Sequence, residues 1–161
     1  MNSVRNSHPR VLIASAFLTA ILAPLACAAA DRESQAAQQS PEVKKMRSFA
    51  ESQHEIVMIL IKKKEFTQAL SEANKIFALD WPPSQEAAVR KDLLFFADQF
   101  LHGGQAELGI RLIDTNLRAF KSSANRAAIL KEKGYLHKTI GQGDKAIECF
   151  REAQRLEKTE K

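Results

Sequence analysis

The C-terminal third of the chain, residues 127–157, contains two short helical patterns separated by a glycine turn. Apolar residues recur in both patterns at spacings of three and four, which is typical of amphipathic helices. Gly141 lies between the patterns, where glycine permits the left-handed backbone that ends many helices. Gly134 and Ala146 are small, so they would let two antiparallel helices approach closely. The segment therefore predicts a tight helical hairpin.

The spacing of this hairpin resembles that of one known family, the tetratricopeptide repeat, in which pairs of helices stack side by side. The resemblance rests on residues at the family's small, turn and aromatic positions: Gly134, Gly141, Asp144, Ala146, Phe150 and Ala153. Lys133 stands where the family usually has leucine, and His137 replaces its tyrosine. The resemblance implies that Gly134 and Ala146 allow close helix contact and that Phe150 fills the space against a neighbouring helix.

Two weaker copies of the pattern precede this hairpin. Alignment of Ala69, Gly109 and Ala146 gives spacings of 40 and 37 residues, longer than the family's 34. The aligned core positions are Leu93, Phe96, Ala97, Phe100, Gly104 and Ile113 in the middle unit, and Ile56, Val57, Leu60, Ala73 and Ile76 in the first. About three units are needed to bury a continuous core. The expected fold is therefore an all-α, right-handed solenoid of about three antiparallel helix pairs.

Helix start and stop signals divide this region into six predicted helices. They are expected at residues 41–64, 65–79, 85–101, 105–120, 124–140 and 143–157. Ser40 is expected to cap the first helix and Ser84 the third, because a hydroxyl satisfies free N–H groups at a helix start. The last helix ends in Arg155-Leu156-Glu157-Lys158, which predicts a polar outer face at the end of the array.

The first 30 residues have the three parts of a secretory signal peptide. Arg5 and Arg10 make the start basic, and residues 11–30 contain no charged side chain. Small residues precede Asp31, as a cleavage site requires. Residues 1–30 are therefore predicted to direct the rest of the chain to the periplasm or the cell exterior.

Two other readings of this segment stay open. One is an uncleaved anchor, since about 20 apolar residues span a bilayer. The other is lipidation of Cys27, although Pro24-Leu25-Ala26-Cys27 matches a bacterial lipoprotein site poorly. Either would hold the chain at the membrane, facing outward. Residues 31–40 are polar and predict a flexible linker before a helical domain at 41–161.

The charge of the chain argues against nucleic-acid binding. The formal net charge is +5, from 24 basic and 19 acidic residues. Two of the basic residues and none of the acidic ones lie within the first 30 positions, so the remainder carries +3. Nucleic-acid-binding domains usually concentrate basic side chains on one face. No nucleic acid is therefore expected as a partner.

Cys149 is the one cysteine outside the first 30 residues, so the remainder cannot form an internal disulfide. It precedes Phe150 within a predicted packed helix. We therefore expect a shielded free thiol rather than a redox centre.

The family resemblance also implies where a partner would bind. In tetratricopeptide repeats, the first helix of each pair lines a concave groove that accepts extended or helical peptides. Transfer by register places ten candidate partner-binding residues there: His54, Met58, Lys62, Lys91, Leu94, Asp98, Leu101, Lys131, Tyr135 and Lys138. Apolar residues flanked by lysines resemble a peptide-binding strip. Asp98 and Tyr135 replace asparagines of the family's carboxylate-binding members, so recognition of a free C-terminal carboxylate is not expected.

The sequence predicts no catalytic site, metal site or cofactor. It lacks G-x-S-x-G, H-E-x-x-H and a phosphate-cradling glycine loop. His54, His102 and His137 are widely separated and share no metal-ligand spacing. The functional hypothesis is an exported, non-enzymatic module that binds another exported or envelope protein. Two alternatives stay open: an anchored or lipidated scaffold subunit of an envelope complex, and an enzyme accessory or catalytic protein.

Overall fold

A computed structural model describes residues 40–159 of the protein, and this range contains six α-helices and no β-strand. The helices are α1 (Pro41–Lys62), α2 (Phe66–Phe77), α3 (Glu86–His102), α4 (Ala106–Asn116), α5 (Ser123–Thr139) and α6 (Gly143–Lys158). Short 3-10 turns, Pro83–Gln85 and Leu117–Ala119, precede α3 and follow α4. The predicted all-α class is confirmed. The predicted signal peptide, residues 1–30, and all of the linker except its last residue lie outside the described residues.

Side-chain chemistry at the helix ends agrees with the sequence at α1 and differs at α3. The Ser40 hydroxyl accepts a hydrogen bond from the Val43 N–H at 3.2 Å, and Pro41 occupies the first helical position. The prediction that Ser84 caps α3 is wrong, because Ser84 lies inside a 3-10 turn and makes no capping bond. The adjacent prolines fix their own φ angles and favour this tight turn, in which the Gln85 N–H donates to the Pro82 carbonyl at 2.8 Å.

Helices α2 and α4 are shorter than predicted at their C-terminal ends. Helix α2 stops at Phe77, and the indole N–H of Trp81 donates to the Ile76 carbonyl at 2.8 Å. Helix α4 stops at Asn116, whose side-chain amide donates to the Asn74 side-chain oxygen on α2 at 2.7 Å. In both places a side-chain hydrogen bond lies where the helix gives way to the link between hairpins.

Three turns of the same geometry join the helices into the hairpins α1–α2, α3–α4 and α5–α6. Each turn holds one residue in the left-handed conformation: Lys64 (φ 63°), Gly104 (φ 73°) and Gly141 (φ 77°). The following N–H donates five residues back in every case, from Glu65 to Leu60 (2.9 Å), from Gln105 to Phe100 (2.8 Å) and from Gln142 to His137 (2.9 Å). This bond closes the end of a helix. The three left-handed residues are separated by 40 and 37 positions, the spacings of the sequence alignment.

Contacts between helices follow the order of the chain. The most extensive contacts lie within the hairpins, and the short turns require the two helices of each to run antiparallel. Between hairpins, α2 contacts α4, α3 contacts α5, and α4 contacts α5. Among the described helices, extensive contact joins only hairpins that are neighbours in the chain. None of these helices is both long and apolar enough to cross a membrane.

One hydrophobic core spans the first five helices, and a smaller cluster lies within the last hairpin. The largest fully buried side chains all belong to the main core: Val57, Ile76, Leu93, Phe96, Phe100, Leu112, Ile113, Ile129 and Leu136. The smaller cluster comprises Ala127, Leu130, Ala153 and Leu156. The assignment of Ile56 to a core position is wrong, since this side chain is 43% exposed. Within the described range no helix precedes α1 to cover it.

The last hairpin is held together by small residues and one aromatic ring. Gly134 is buried under the Phe150 ring, which therefore packs on the first helix of its own hairpin. Ala146 and Ala153 are 4% and 0% exposed. Asp144 lies in the first turn of α6, where the helix dipole favours an acid.

Two further side chains of this hairpin are buried. A ring nitrogen of His137, Nδ1, lies 2.8 Å from the Gln142 side-chain oxygen across the turn. Cys149 is a free cysteine within the described range, and burial raises the pKa of its thiol. An unreactive thiol is expected in such surroundings.

Candidate partner-binding surface

The ten candidate partner-binding residues lie on the first helices of the three hairpins, α1, α3 and α5. Helix α3 contacts α5 directly, whereas a cleft of about 300 Å³ separates parts of α1 and α3. The cleft is lined by Arg47, Ala50, Glu51, His54, Glu55, Trp81, Gln85, Ala88, Val89 and Asp92. Of the ten candidates, only His54 lines this cleft.

His54 connects α1 to α3 through aromatic contacts at the cleft. Its ring is stacked on Phe95, with centroids 5.3 Å apart and planes 19° apart. It also lies 4.8 Å from Phe96, at a tilt of 44°. Phe96 is fully buried, but Phe95 is 39% exposed and offers part of its ring to a ligand. A stacked imidazole and phenyl pair is a surface on which an apolar or aromatic side chain can pack.

A polar bond holds one end of the cleft together. The Arg47 guanidinium on α1 donates to the Gln85 side-chain oxygen, at 3.1 Å from Nε and 2.5 Å from Nη2. Gln85 is 2% exposed, so the bond satisfies a buried amide oxygen. An amide cannot neutralise a guanidinium, and Arg47 therefore adds positive charge to the edge of the cleft.

Asp92 supplies negative charge on the α3 side of the cleft. Burial raises the pKa of its carboxyl group, and the positive charge of a protonated His54 acts in the opposite direction. Burial removes water from the carboxylate and so disfavours its ionised form. A cationic group entering the cleft would restore some of the lost stabilisation.

A pair of acidic side chains, Glu132 and Asp98, lies where α3 meets α5. Burial raises the pKa of Glu132, and the negative charge of Asp98 raises it further. Asp98 Oδ2 is 3.2 Å from Nδ1 of the exposed His102, one turn along α3. Of these residues only Asp98 belongs to the candidate set, so the boundary between α3 and α5 is more acidic than the candidates indicate.

The remaining candidates divide by burial. Met58, Leu94 and Leu101 are half-buried and pack against the main core, so only part of each side chain is accessible. Lys62, Lys91 and Lys138 are exposed on α1, α3 and α5.

Lys131 and Tyr135 have partners on α6. The Lys131 ammonium forms an ion pair with Glu157 at 2.6 Å. The Tyr135 ring meets Phe150 edge-on, with centroids 5.2 Å apart. Both side chains of α5 therefore also belong to the outer side of the last hairpin.

Three residues at this site lie outside the candidate set: Asp92 and Arg47, which line the cleft, and Phe95, which stacks on His54. Phe95 and Asp92 are each one position away from an aligned groove position, Leu94 and Lys91, so a wider window on α3 would have included them. Arg47 lies seven residues before His54, the first candidate on α1. No sequence signal would have joined Arg47 to Gln85, because 38 residues separate them.

Within residues 40–159, no group of three or more His, Cys, Asp and Glu side chains is arranged to hold a metal ion. Comparison of the chain with protein-family models, curated proteins and solved structures found no match.

Proposed function

We propose that residues 41–161 form a tetratricopeptide-like, right-handed α-solenoid of three helix pairs. The support is the threefold recurrence of one turn geometry at Lys64, Gly104 and Gly141, at the spacings of the sequence alignment. Extensive contacts between neighbouring hairpins alone are also the pattern of a repeat array, in which each unit touches the next.

The proposed function is non-enzymatic binding of another exported or envelope protein along the side formed by α1, α3 and α5. The observation that carries this proposal is the cleft between α1 and α3, where His54 stacks on a partly exposed Phe95. An aromatic pair flanked by Arg47 and Asp92 offers both apolar packing and charge recognition. A peptide segment of a partner protein fits such a site better than a small metabolite, because Leu94, Phe95 and Leu101 add partly accessible apolar side chains on α3 beyond the residues that line the cleft.

A pull-down with a charge-matched control tests the binding side. The variant Lys91→Glu with Phe95→Glu changes two exposed residues four positions apart on α3. The control Arg111→Glu with Thr115→Glu makes the same change in charge on exposed residues of α4. We expect the α3 variant to recover at least about tenfold less partner than wild type or control, as loss of an interface anchor does. Thermal melting monitored by circular dichroism shows whether both variants are folded.

If the partner binds to the side formed by α1, α3 and α5, the α3 variant must recover less partner than the α4 control. Equal recovery by the folded α3 variant and the wild type would remove the groove from the proposal. Recovery that falls only in the α4 control would move the binding surface to the opposite side of the molecule.

The proposed location is outside the cytoplasm, with the membrane-held forms as alternatives. The support is the basic start at Arg5 and Arg10, followed by the charge-free residues 11–30. The intact mass of the chain recovered from the envelope and from the soluble fraction distinguishes the forms. A cleaved chain loses about 30 residues, an anchored chain keeps its full mass, and lipidation at Cys27 adds acyl mass to a membrane-bound product.

A further inference from the structure

The last hairpin leaves apolar side chains uncovered at positions that are buried in the two earlier hairpins. By the spacing of the turns, Ile147 on α6 corresponds to Leu70 on α2 and Ile110 on α4. Leu70 and Ile110 are 6% and 8% exposed, whereas Ile147 is 48% exposed. Tyr135, on the same hairpin, is 54% exposed with its edge against Phe150. The outer side of α5 and α6 therefore exposes an apolar patch of Ile147 and Tyr135, where the sequence predicts a polar outer face.

Inside the molecule, the equivalent face is covered by the first helix of the next hairpin. Helix α5 packs on α4 so closely that a Cβ added to Gly109 would lie 3.3 Å from Leu136 Cδ1. Ile113, which corresponds to Phe150, is fully buried in this arrangement. A helix in the position of α5 is thus what covers such a face.

The first hairpin presents the complementary surface. Phe49, Ile56 and Ile59 on α1 are 43%, 43% and 53% exposed, and their spacing of three and seven residues places them on one stripe. Ile56 corresponds to Phe96, which is fully buried beneath the preceding hairpin through contacts with His54 and Phe77. The stripe on α1 therefore has the character of a surface that a preceding hairpin covers.

Ile59 extends this correspondence to the residue that makes the close contact. By the same spacings, Ile59 corresponds to Leu136, the α5 side chain that lies on Gly109 of α4. Gly109 in turn corresponds to Ala146 at the start of α6. The two uncovered faces thus carry the counterparts of residues that touch each other inside the molecule.

We infer that the uncovered face of α5 and α6 in one copy of the chain binds the α1 stripe of a second copy, as α5 covers α4 within one copy. The second copy is the occupant because the first and last described hairpins of a single chain carry the two halves of the contact. Such a contact is head-to-tail, so it leaves one free face at each end and continues to further copies. The inference depends on the spacing of the hairpins and is independent of the proposed partner groove.

Sedimentation velocity of the full-length chain across a range of concentrations tests the inference. The wild type is expected to show a mass that rises with concentration beyond that of a dimer. Ile59→Glu on the α1 stripe and Ile147→Glu on α6 each place a charge in the contact. Each is expected to weaken self-association by at least about tenfold and to sediment as a monomer.

An equimolar mixture of the two variants separates head-to-tail stacking from a symmetric dimer. Ile59→Glu keeps an intact last hairpin and Ile147→Glu keeps an intact α1, so the mixture is expected to form one-to-one dimers and nothing larger. Thr115→Glu, an exposed residue of the middle hairpin, serves as the charge control and should assemble like the wild type. Circular dichroism melts establish that each variant is folded.

Three results would overturn the inference. They are a wild type that stays monomeric at every concentration, a variant with either substitution that still self-associates, and a mixture that contains only monomers. None of these results bears on the pull-down through α3, so the two proposals fail separately.

Discussion

The ring of Phe150 on α6 lies against the backbone of Gly134 on α5. A Cβ added to Gly134 would be 2.7 Å from Cε1 and 2.9 Å from Cζ of that ring, distances that real Cβ atoms do not reach. Tyr135 contacts the same ring from the side. The absence of a side chain at Gly134 is therefore what allows the Phe150 ring to lie this close to α5.

Gly134→Ala is expected to lower the free energy of unfolding by about 1 kcal/mol. Overpacking costs about 1–3 kcal/mol, and alanine's better helix propensity returns up to about 1 kcal/mol. Gly143→Ala, where an added Cβ meets no atom within 4 Å, is the control and should be neutral or stabilising. Urea unfolding measures both. A Gly134→Ala protein as stable as the control would show that the ring moves aside without cost.

Lys64→Gly is expected to stabilise the protein by about 0.5–1 kcal/mol. Lys64 has φ 63°, where a Cβ costs roughly 1–2 kcal/mol, and the greater freedom of glycine in the unfolded chain offsets part of the gain. Lys63→Gly is the matched control, because Lys63 has φ −77° and gains nothing from glycine. Thermal unfolding compares the two variants. A melting temperature that falls in Lys64→Gly would contradict the strained turn.

Glu132→Gln is expected to stabilise the protein at neutral pH and to have little effect in acid. Burial and the charge of Asp98 raise the pKa of Glu132 above its ordinary value of 4.5. The folded state therefore holds the proton more tightly than the unfolded state, and stability falls as the pH rises through the folded pKa. Glutamine does not ionise, so the variant does not lose this stability as the pH rises. Urea unfolding at a series of pH values, with the exposed Glu148→Gln as control, should show a gain confined to Glu132→Gln and growing with pH.

Glu86→Ala is expected to cost about 1–3 kcal/mol, the usual penalty for leaving buried hydrogen-bond donors without an acceptor. One Glu86 oxygen accepts from the Ser122 N–H at 2.9 Å and from the Asn125 side-chain amide at 3.0 Å, joining α3 to the start of α5. Glu86→Gln keeps a side-chain oxygen and should lose less stability. Hydrogen exchange at residues 122–126 should rise in the alanine variant, and unchanged protection there would contradict the role of this link.

The six helices and their hairpin turns were accessible from the sequence because local interactions decide them. The three-and-four spacing of apolar residues and the glycines at 104 and 141 act within one turn of helix. The alignment also predicts the turn at Lys64, which is not a glycine. Lys64 adopts the left-handed conformation of Gly104 and Gly141 at the aligned position. The predicted ends of α2 and α4 were too late in the sequence. At these ends the Trp81 indole bonds back to the Ile76 carbonyl, and the Asn116 amide bonds to Asn74, 42 residues away.

The candidate surface could be predicted only in part from the sequence. Register placed His54 among the candidates on α1, but its stacking on Phe95 depends on how α1 packs beside α3. The Lys131 ammonium forms an ion pair with Glu157, which lies 26 residues away along the chain. Such pairings arise from the way helices pack, between hairpins for His54 and within the last hairpin for Lys131, which the spacing of residues along a single helix does not encode.

The sequence by itself determined the all-α class, the hairpins and their spacing, because backbone conformation and amphipathic periodicity are local properties. Only the tertiary structure decided which apolar stripes are covered. Ile110 and Ile147 occupy the same position in neighbouring hairpins, yet one is 8% and the other 48% exposed. The physical reason is that a stripe of apolar residues records a tendency to be buried, whereas burial requires a neighbouring helix that only the assembled fold provides.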